Sequence, residues 1–320
     1  MRFSRFLPIL SWLPKYKRSY LKDDILAGVT VGIILVPQGM AYALLAGLPP
    51  IYGLYAGIVP LIIYALFGTS RQMSVGPVAL VSLLVLAGVG QFAETDTELF
   101  IGLAISTALI AGVVHVLLGV FKLGFLVNFL SRPVISGLTS AAAIIIGFSQ
   151  LRNLLRLDLP RSNQIYEIIR GTIQHIGEIH WLTFSIGMGG ILVILALKWW
   201  KKSFPASLAV IVLSVLLVGV LGLEKQGIEI VGDVPPRLPS FGVPDLSIEM
   251  IRQLMPLALT ICLVSFIESL AVAKSIEARH SDYRVVPNQE LIALGISKIA
   301  GAFFQSYPTS GSFTRSAIND

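Results

Sequence analysis

Residues 306–320 read SYPTSGSFTRSAIND and follow directly on an apolar run that ends Ile299, Ala300, Gly301, Ala302, Phe303, Phe304. A proline, small turn residues, hydroxyls and one arginine therefore stand at membrane depth. Pro308 to Ser312 combine a helix breaker with small hydroxyl residues, and Phe313, Thr314 and Arg315 follow. That order predicts a helix starting midway through the bilayer, with Ser310 or Ser312 as its N-cap. SVGPVALVSLL, residues 74–84, has the same grammar. Gly76 permits an unusual backbone, and Pro77 suits the first helical position, where its missing N–H costs nothing. Only ~14 residues, about 21 Å of helix at 1.5 Å per residue, separate Pro77 from Gly90, which is half a crossing. Two half-helices that point their N-termini at one place form a ready anion seat, because unpaired N–H groups and positive dipole ends face it. Broken helices in corresponding positions of two halves are the best sequence pointer to a transporter's binding site.

Composition sets the solvent. With 55% hydrophobic and 13% charged residues and a mean hydropathy of +0.80, the chain has too little polar surface to coat a water-soluble globule of 34.6 kDa. Long apolar runs joined by short polar segments imply helices, since barrel strands would alternate in polarity over ~10 residues. The net charge of +6 follows the membrane, and no basic, aromatic-interleaved surface suggests RNA or DNA. Cys262, the single cysteine, lies in an apolar run and can form no intrachain disulfide. No Gly-rich phosphate loop, metal-ligand cluster or Ser-His-Asp arrangement occurs, so neither an enzyme nor a cofactor is expected.

The N-terminal segment, residues 1–25, is basic and aromatic, and Pro8 and Pro14 interrupt its short apolar patch. It lacks the apolar run and cleavage site of a signal peptide and reads as an interfacial, cytoplasmic segment. Trp12, Tyr16 and Tyr20 would lie at headgroup level beside Arg2, Arg5, Lys15, Lys17, Arg18 and Lys22. Apolar runs predict spans at 26–48, 51–68, 77–90, 99–121, 133–150, 182–198, 205–223, 255–273 and 290–304, and a last one opening near 311. Most have the length that a ~30 Å hydrocarbon layer requires; the third and the last do not. From a cytoplasmic start, Arg71, Lys122, Arg132, Lys198, Lys201, Lys202, Lys274, Arg279 and Arg284 fall inside, and the acidic joint 91–98 falls outside. Residues 151–181 break that pattern with Arg152, Arg156, Arg161 and Arg170, and read as an amphipathic surface helix plus loop. Residues 224–253 read as an ordered, proline-rich loop.

Polar residues inside the spans are the candidate functional groups. An unpaired charge near midplane costs ~2.5 to 3.5 kcal/mol on insertion scales, so Arg315 needs a cavity or a partner. A bound anion is one partner; an arginine that snorkels or only ties helices together is the alternative. Gln38 and Tyr42 are four apart on one helical face after Pro37, which interrupts the hydrogen-bond ladder. They offer an amide and a phenol to whatever lies before the half-helices, or Gln38 simply bonds a neighbouring helix. Glu268 lies within a span. A carboxylate in low dielectric favours its protonated form, so Glu268 either carries a proton or sodium ion, or is helix glue bonded to Ser265 or Ser269. His115 reads as packing, and Gly28, Gly32, Gly39, Gly53, Gly57 and Gly68 recur at spacings that let helices pack closely.

LVPQGMAYALLAGLPPIYGLYAGIVPLIIYALFGTSRQMSVGPVALVSLL at 35–84 resembles the signature region of the sulfate permease (SulP) family. FIESLAVAKSIEARH, NQELIALG and SYPTSGSFTRSAIN resemble its second signature. The resemblance covers essentially the whole chain. It implies an all-α polytopic membrane protein with an inverted-repeat (7+7 type) transporter fold and discontinuous half-helices. A core domain would move against a gate domain, and an anion would be held between the third and tenth segments. By the same resemblance Gln38, Tyr42, Gly76, Pro77, Val78, Ser312, Thr314 and Arg315 are substrate-binding and Glu268 is the cation-coupling residue. Val78 stands where some relatives have an aromatic residue, which widens the expected pocket. Relatives continue through four more segments and usually a cytosolic STAS domain, so 26–320 reads as an incomplete transport domain with its second repeat truncated. The expected function is secondary active transport of an inorganic anion, first sulfate, coupled to H+ or Na+ in a bacterial inner membrane; a homodimer is compatible with it. Bicarbonate or dicarboxylate symport, anion exchange and a channel-like anion conductor are the alternatives.

Overall fold

Proline and glycine set the ends of the first elements. α1 (Leu21–Leu45) runs through Pro37 and stops at Ala46–Gly47, where Gly47 takes φ +81° and Leu48 N–H returns to the Ala43 carbonyl at 2.9 Å. α2 (Pro50–Phe67) starts on Pro50 at its first turn, as a missing N–H allows. β1 (Val75–Gly76) and α3 (Ala79–Val89) follow, then α4 (Thr97–Val120), whose N-cap Asp96 accepts from the N–H groups of Glu98 and Leu99 at 3.0 Å. Next come α5 (Leu151–Leu155), α6 (Ile165–Gln174), α7 (Trp181–Trp200) and α8 (Ala206–Leu221). The described chain closes with α9 (Ile248–Glu277), α10 (Pro287–Phe303), β2 (Ser310–Gly311) and α11 (Phe313–Ile318). These elements come from a computed structural model that describes residues 7–93, 96–125, 150–157, 165–201, 206–228, 230–232, 234–280 and 282–320, with scattered positions between 137 and 148. The span expected at 133–150 falls mainly outside the described residues, as do Arg2, Arg5, Arg132, Arg161 and Lys202.

The chain divides into two compact units, Met1–Ile135 with Pro235–Asp320, and Ser136–Val234. In the second, α7 and α8 pack together, and α6 is amphipathic as expected, burying Ile168 while exposing Tyr166, Ile169 and Ile173. A cavity of about 370 Å³ there is lined by Leu154, Ile186 and Ile191 among others, and none of the expected site residues reaches it.

The first unit holds those residues. α10 packs on α4 and α2, α1 on α2, and α9 on α4 and α3. Five described helices are long and apolar enough to cross a membrane: α1 with the turn before it, α2, α4, α7 and α9. α9 extends from 248 to 277, beyond the span expected at 255–273, because Ser247 caps its start by accepting from Met250 N–H at 3.1 Å. Large apolar side chains such as Leu26, Ile33, Val36 and Ile62 face outward, while His115, Lys298, Glu290, Arg315 and many serines are buried. That inverts the soluble pattern and suits a surround of lipid. Charges that the sequence assigned to one side meet at one end of the unit: Arg71 pairs with Asp282 at 2.5 Å and lies over Tyr283, and Arg279 pairs with Asp320 at 2.9 Å. At the other end of α10 the proline-rich stretch is ordered, with Phe241 stacked on Phe303 at 5.8 Å and Gly242 N–H bonded to the Phe303 carbonyl at 2.8 Å.

The α1–α2 contact depends on a glycine pair. A Cβ on Gly53 would lie 1.9 Å from the Gly39 carbonyl oxygen, closer than any atom can stand. Gly28, by contrast, has nothing within 4 Å of such a Cβ. Gly53→Ala is expected to force the helices apart and cost about 1 to 3 kcal/mol, as overpacking does. Gly28→Ala is expected to be neutral. Thermal unfolding of the two variants in detergent checks the contrast.

Candidate functional site: a strand crossing around a buried arginine

β1 and β2 meet as an antiparallel pair, with Val75 opposite Gly311 and Gly76 opposite Ser310. Ser312 N–H extends the pairing to the Ser74 carbonyl at 2.9 Å, and Ser74 N–H donates to Ser316 Oγ at 2.9 Å. Two extended segments thus satisfy one another's backbone where no helix continues. Each then hands over to a short helix: α3, of 11 residues and about 16 Å, after β1, and α11, of six residues, after β2. Ser312, not Ser310, is the N-cap of α11; its Oγ accepts from Arg315 N–H at 3.4 Å, while Ser310 is committed to the strand pair. Pro77 is not the first residue of α3, which begins at Ala79 after an extended Val78. The physical reason lies across the crossing, where the Pro77 carbonyl accepts from Arg315.

Arg315 is 0% exposed and is among the largest fully buried side chains. Its Nη1 donates to Gln38 Oε1 at 3.1 Å and to the Pro77 carbonyl at 3.0 Å, and its Nε donates to Ser74 Oγ at 3.3 Å. Nη2 has no hydrogen-bond partner among the described residues. Every acceptor of this guanidinium is neutral. A Cβ on Gly76 would stand 3.1 Å from Nη2, so the absence of a side chain lets the arginine lie against β1.

Gln38, Gly76, Pro77 and Arg315 therefore come together, and Tyr42, half-buried, lies beside Gln38 within electrostatic reach of Arg315 and Glu268. Val78 is buried at 5% in an apolar cluster with Val81 and Tyr307. Thr314 is exposed and touches Ser312 at 3.3 Å. Glu268 faces the Ser310 hydroxyl and is acted on by Arg315 and Lys298, while its Oε2 is shut off from solvent without a partner among the described residues. Ser310 Oγ in turn donates to the Ser265 carbonyl at 3.1 Å and lies 3.2 Å from Ser269 Oγ.

The sequence profile of the sulfate permease family matches residues 21–320. The chain belongs to that family. It is 42% identical to the chloroplastic sulfate transporter 4.1 of Arabidopsis thaliana over 98% of its own length and 46% of that protein's. Its fold superposes on the murine Slc26a9 anion transporter in the inward-facing state with a TM-score of 0.90, at 27% identity, covering 98% of this chain and 55% of that one. The transmembrane domain of the cyanobacterial bicarbonate transporter BicA gives a TM-score of 0.82 at 20% identity, over 95% and 78% of the two chains, and shares the fold. The chain spans about half the length of the curated relatives it matches. It is an integral, multi-pass membrane protein with the inverted-repeat transporter fold.

Three residues of this sulfate permease family member escaped the sequence reading. Ser74 joins the crossing through Oγ, N–H and carbonyl at once, which only a tertiary contact reveals. Glu290 and Lys298 carried a legible signal, an ionisable side chain in an apolar span. Glu290 is a saturated carboxylate: Tyr64 Oη donates to it at 2.7 Å, Thr69 N–H at 2.7 Å and Thr69 Oγ1 at 2.5 Å. Glu268 keeps an oxygen without a hydrogen-bond partner among the described residues. Truncation should separate the two. Glu290→Ala strands three donors and is expected to cost about 2 to 5 kcal/mol, lowering the thermal midpoint. Glu268→Ala removes only the charge that acts on Arg315 and Lys298, so its loss of midpoint is expected to shrink on acidification, as the wild-type carboxylate takes up a proton, whereas that of Glu290→Ala persists; thermal unfolding of both variants at two pH values checks this.

Proposed function

We propose that the protein is a secondary active transporter of inorganic anions, with sulfate as its first substrate and H+ or Na+ as the coupling ion. Arg315 carries this reading. A fully buried guanidinium bonded, among the described residues, only to neutral acceptors, with Nη2 spare, has Glu268 within electrostatic reach but no negative charge in contact. An anion placed before the crossing supplies it. The names of relatives such as sulfate transporter 4.1 favour sulfate for this chain.

In this mechanism the starts of α3 and α11 and the Arg315 guanidinium provide positive potential. Gly76, Pro77, Val78, Ser312 and Thr314 shape the seat, and Gln38 and Tyr42 close it from α1. Glu268, one helix away and sharing Ser310 with the crossing, takes up the coupling cation. Binding of both solutes lowers the energy of the state that carries them across, and alternating access follows as a population shift. The basic, aromatic N-terminal segment supports a cytoplasmic N-terminus.

Two measurements test the assignment in proteoliposomes of the full-length protein. Arg315→Ala is expected to remove a charge-assisted contact of about 1.5 to 3 kcal/mol, raising the apparent KM for labelled sulfate roughly 10- to 100-fold. An unchanged KM sinks the anion role. Glu268→Gln is expected to abolish accumulation driven by an imposed proton or sodium gradient while anion exchange persists. Wild-type accumulation in that variant removes the coupling role of Glu268, and uptake by the wild type that ignores both gradients favours a passive conductor.

A further inference from the structure

Lys298 is a buried charge that the anion seat does not use. It projects from α10, is 1% exposed, and its Nζ has no hydrogen-bond partner among the described residues. An ammonium so placed is costly unless a counter-charge is near. The titratable groups that act on it are His115 from α4, and Cys262 and Glu268 from α9. His115 is tied through Nδ1 to the Ala111 carbonyl at 2.8 Å, and Cys262 is a buried free thiol. Glu290, eight residues earlier on the same helix and so about 12 Å away, is saturated by Tyr64 and Thr69. Among the described residues Glu268 is thus the anion available to Lys298. Glu268 is also the carboxylate that acts on Arg315.

Two cations, Lys298 and Arg315, are therefore within electrostatic reach of one carboxylate, Glu268, and each of the three side chains ends in a buried polar atom without a hydrogen-bond partner among the described residues: Lys298 Nζ, Arg315 Nη2 and Glu268 Oε2. With Glu268 ionised the group carries a single net positive charge. A proton on Glu268 leaves two. A divalent anion arriving with that proton brings the group to neutrality, whereas a monovalent anion leaves a charge uncompensated in a low-dielectric interior.

Building on the transport reading above, we infer that Lys298 is a second cation of the anion site, acting through Glu268 to link proton uptake to anion binding and to favour divalent over monovalent anions. Lys298 does not touch the substrate; it is a positioning and selectivity residue. The proton that enters from solution binds the Glu268 carboxylate and frees both cations at once. By reciprocity, a bound divalent anion strengthens proton binding by the same factor.

The test measures the KM for labelled sulfate, and its inhibition by chloride, in proteoliposomes of the full-length protein at pH values either side of the uptake midpoint. In the wild type the sulfate KM falls on acidification. Lys298→Met is expected to raise the sulfate KM about tenfold at the acidic pH, to flatten its pH dependence, and to change chloride inhibition much less, while Lys298→Arg behaves as wild type. A folded Lys298→Met protein with the wild-type pH dependence and sulfate-to-chloride preference overturns this inference alone. Should Lys298→Met fail to fold, the wild type decides by thermal stabilisation: sulfate protection that grows on acidification more steeply than chloride protection supports the inference, and parallel growth overturns it. A wild type that neither takes up nor is stabilised by any anion overturns the transport reading itself, and this inference with it.

Discussion

A guanidinium buried without a carboxylate in contact is the constraint on which the centre of this molecule depends. Arg315 must find acceptors inside an apolar surround, and it finds three from three places: Gln38 on α1, the Ser74 hydroxyl before β1 and the Pro77 carbonyl after it. A backbone carbonyl outside a helix has no intrahelical donor to satisfy it and is free to face the guanidinium. The extended segments before α3 and α11 are therefore a requirement of the charge as much as of the sequence breakers. They remain stable at depth because each uses the other's N–H and C=O groups.

The crossing is walled by two apolar clusters. Val78, Val81, Val85 and Tyr307 belong to one, and Val75, Tyr64, Phe266 and Leu270 belong to the other. Polar groups are thereby confined to a thin seam, where low dielectric magnifies every uncompensated charge. Within the seam the two carboxylates differ by their bonding. Glu290 meets three donors and ties α10 to α2 and the turn after it, so its chemistry is spent on structure. Glu268 retains an oxygen without a partner among the described residues and faces two cations, so its charge is free to matter. Glu290 is also fully buried where Glu268 is only partly so, but the count of hydrogen bonds is the larger difference.

Membership of the sulfate permease family and the likeness to a solved anion transporter go with the helical membrane fold that surrounds this seam. The outward faces of the long helices are ordinary apolar surface, and the polar investment is concentrated where α1, α9, α10 and the crossing meet. That concentration goes with the broken helices, because unbroken ones would satisfy their own backbones at lower cost.

Composition and apolar run length alone determined that the chain is a helical membrane protein, and nearly every described span lies within a few residues of where hydropathy placed it. The breakers at Gly76–Pro77 and Pro308–Ser312 also determined that two helices start midway, since proline and glycine act on the backbone locally. The pairing of the two breaks, in a register that sets Val75 against Gly311, was decided only by the tertiary structure. So were the shift of the helix start past Pro77, the saturation of Glu290 and the isolation of Lys298. These depend on which groups more than 200 residues apart in sequence come within a few ångströms, as Ser74 and Ser316 do with |i−j| of 242. Hydropathy records the cost of a buried charge at its own position; only packing reveals whether a partner is there to meet it.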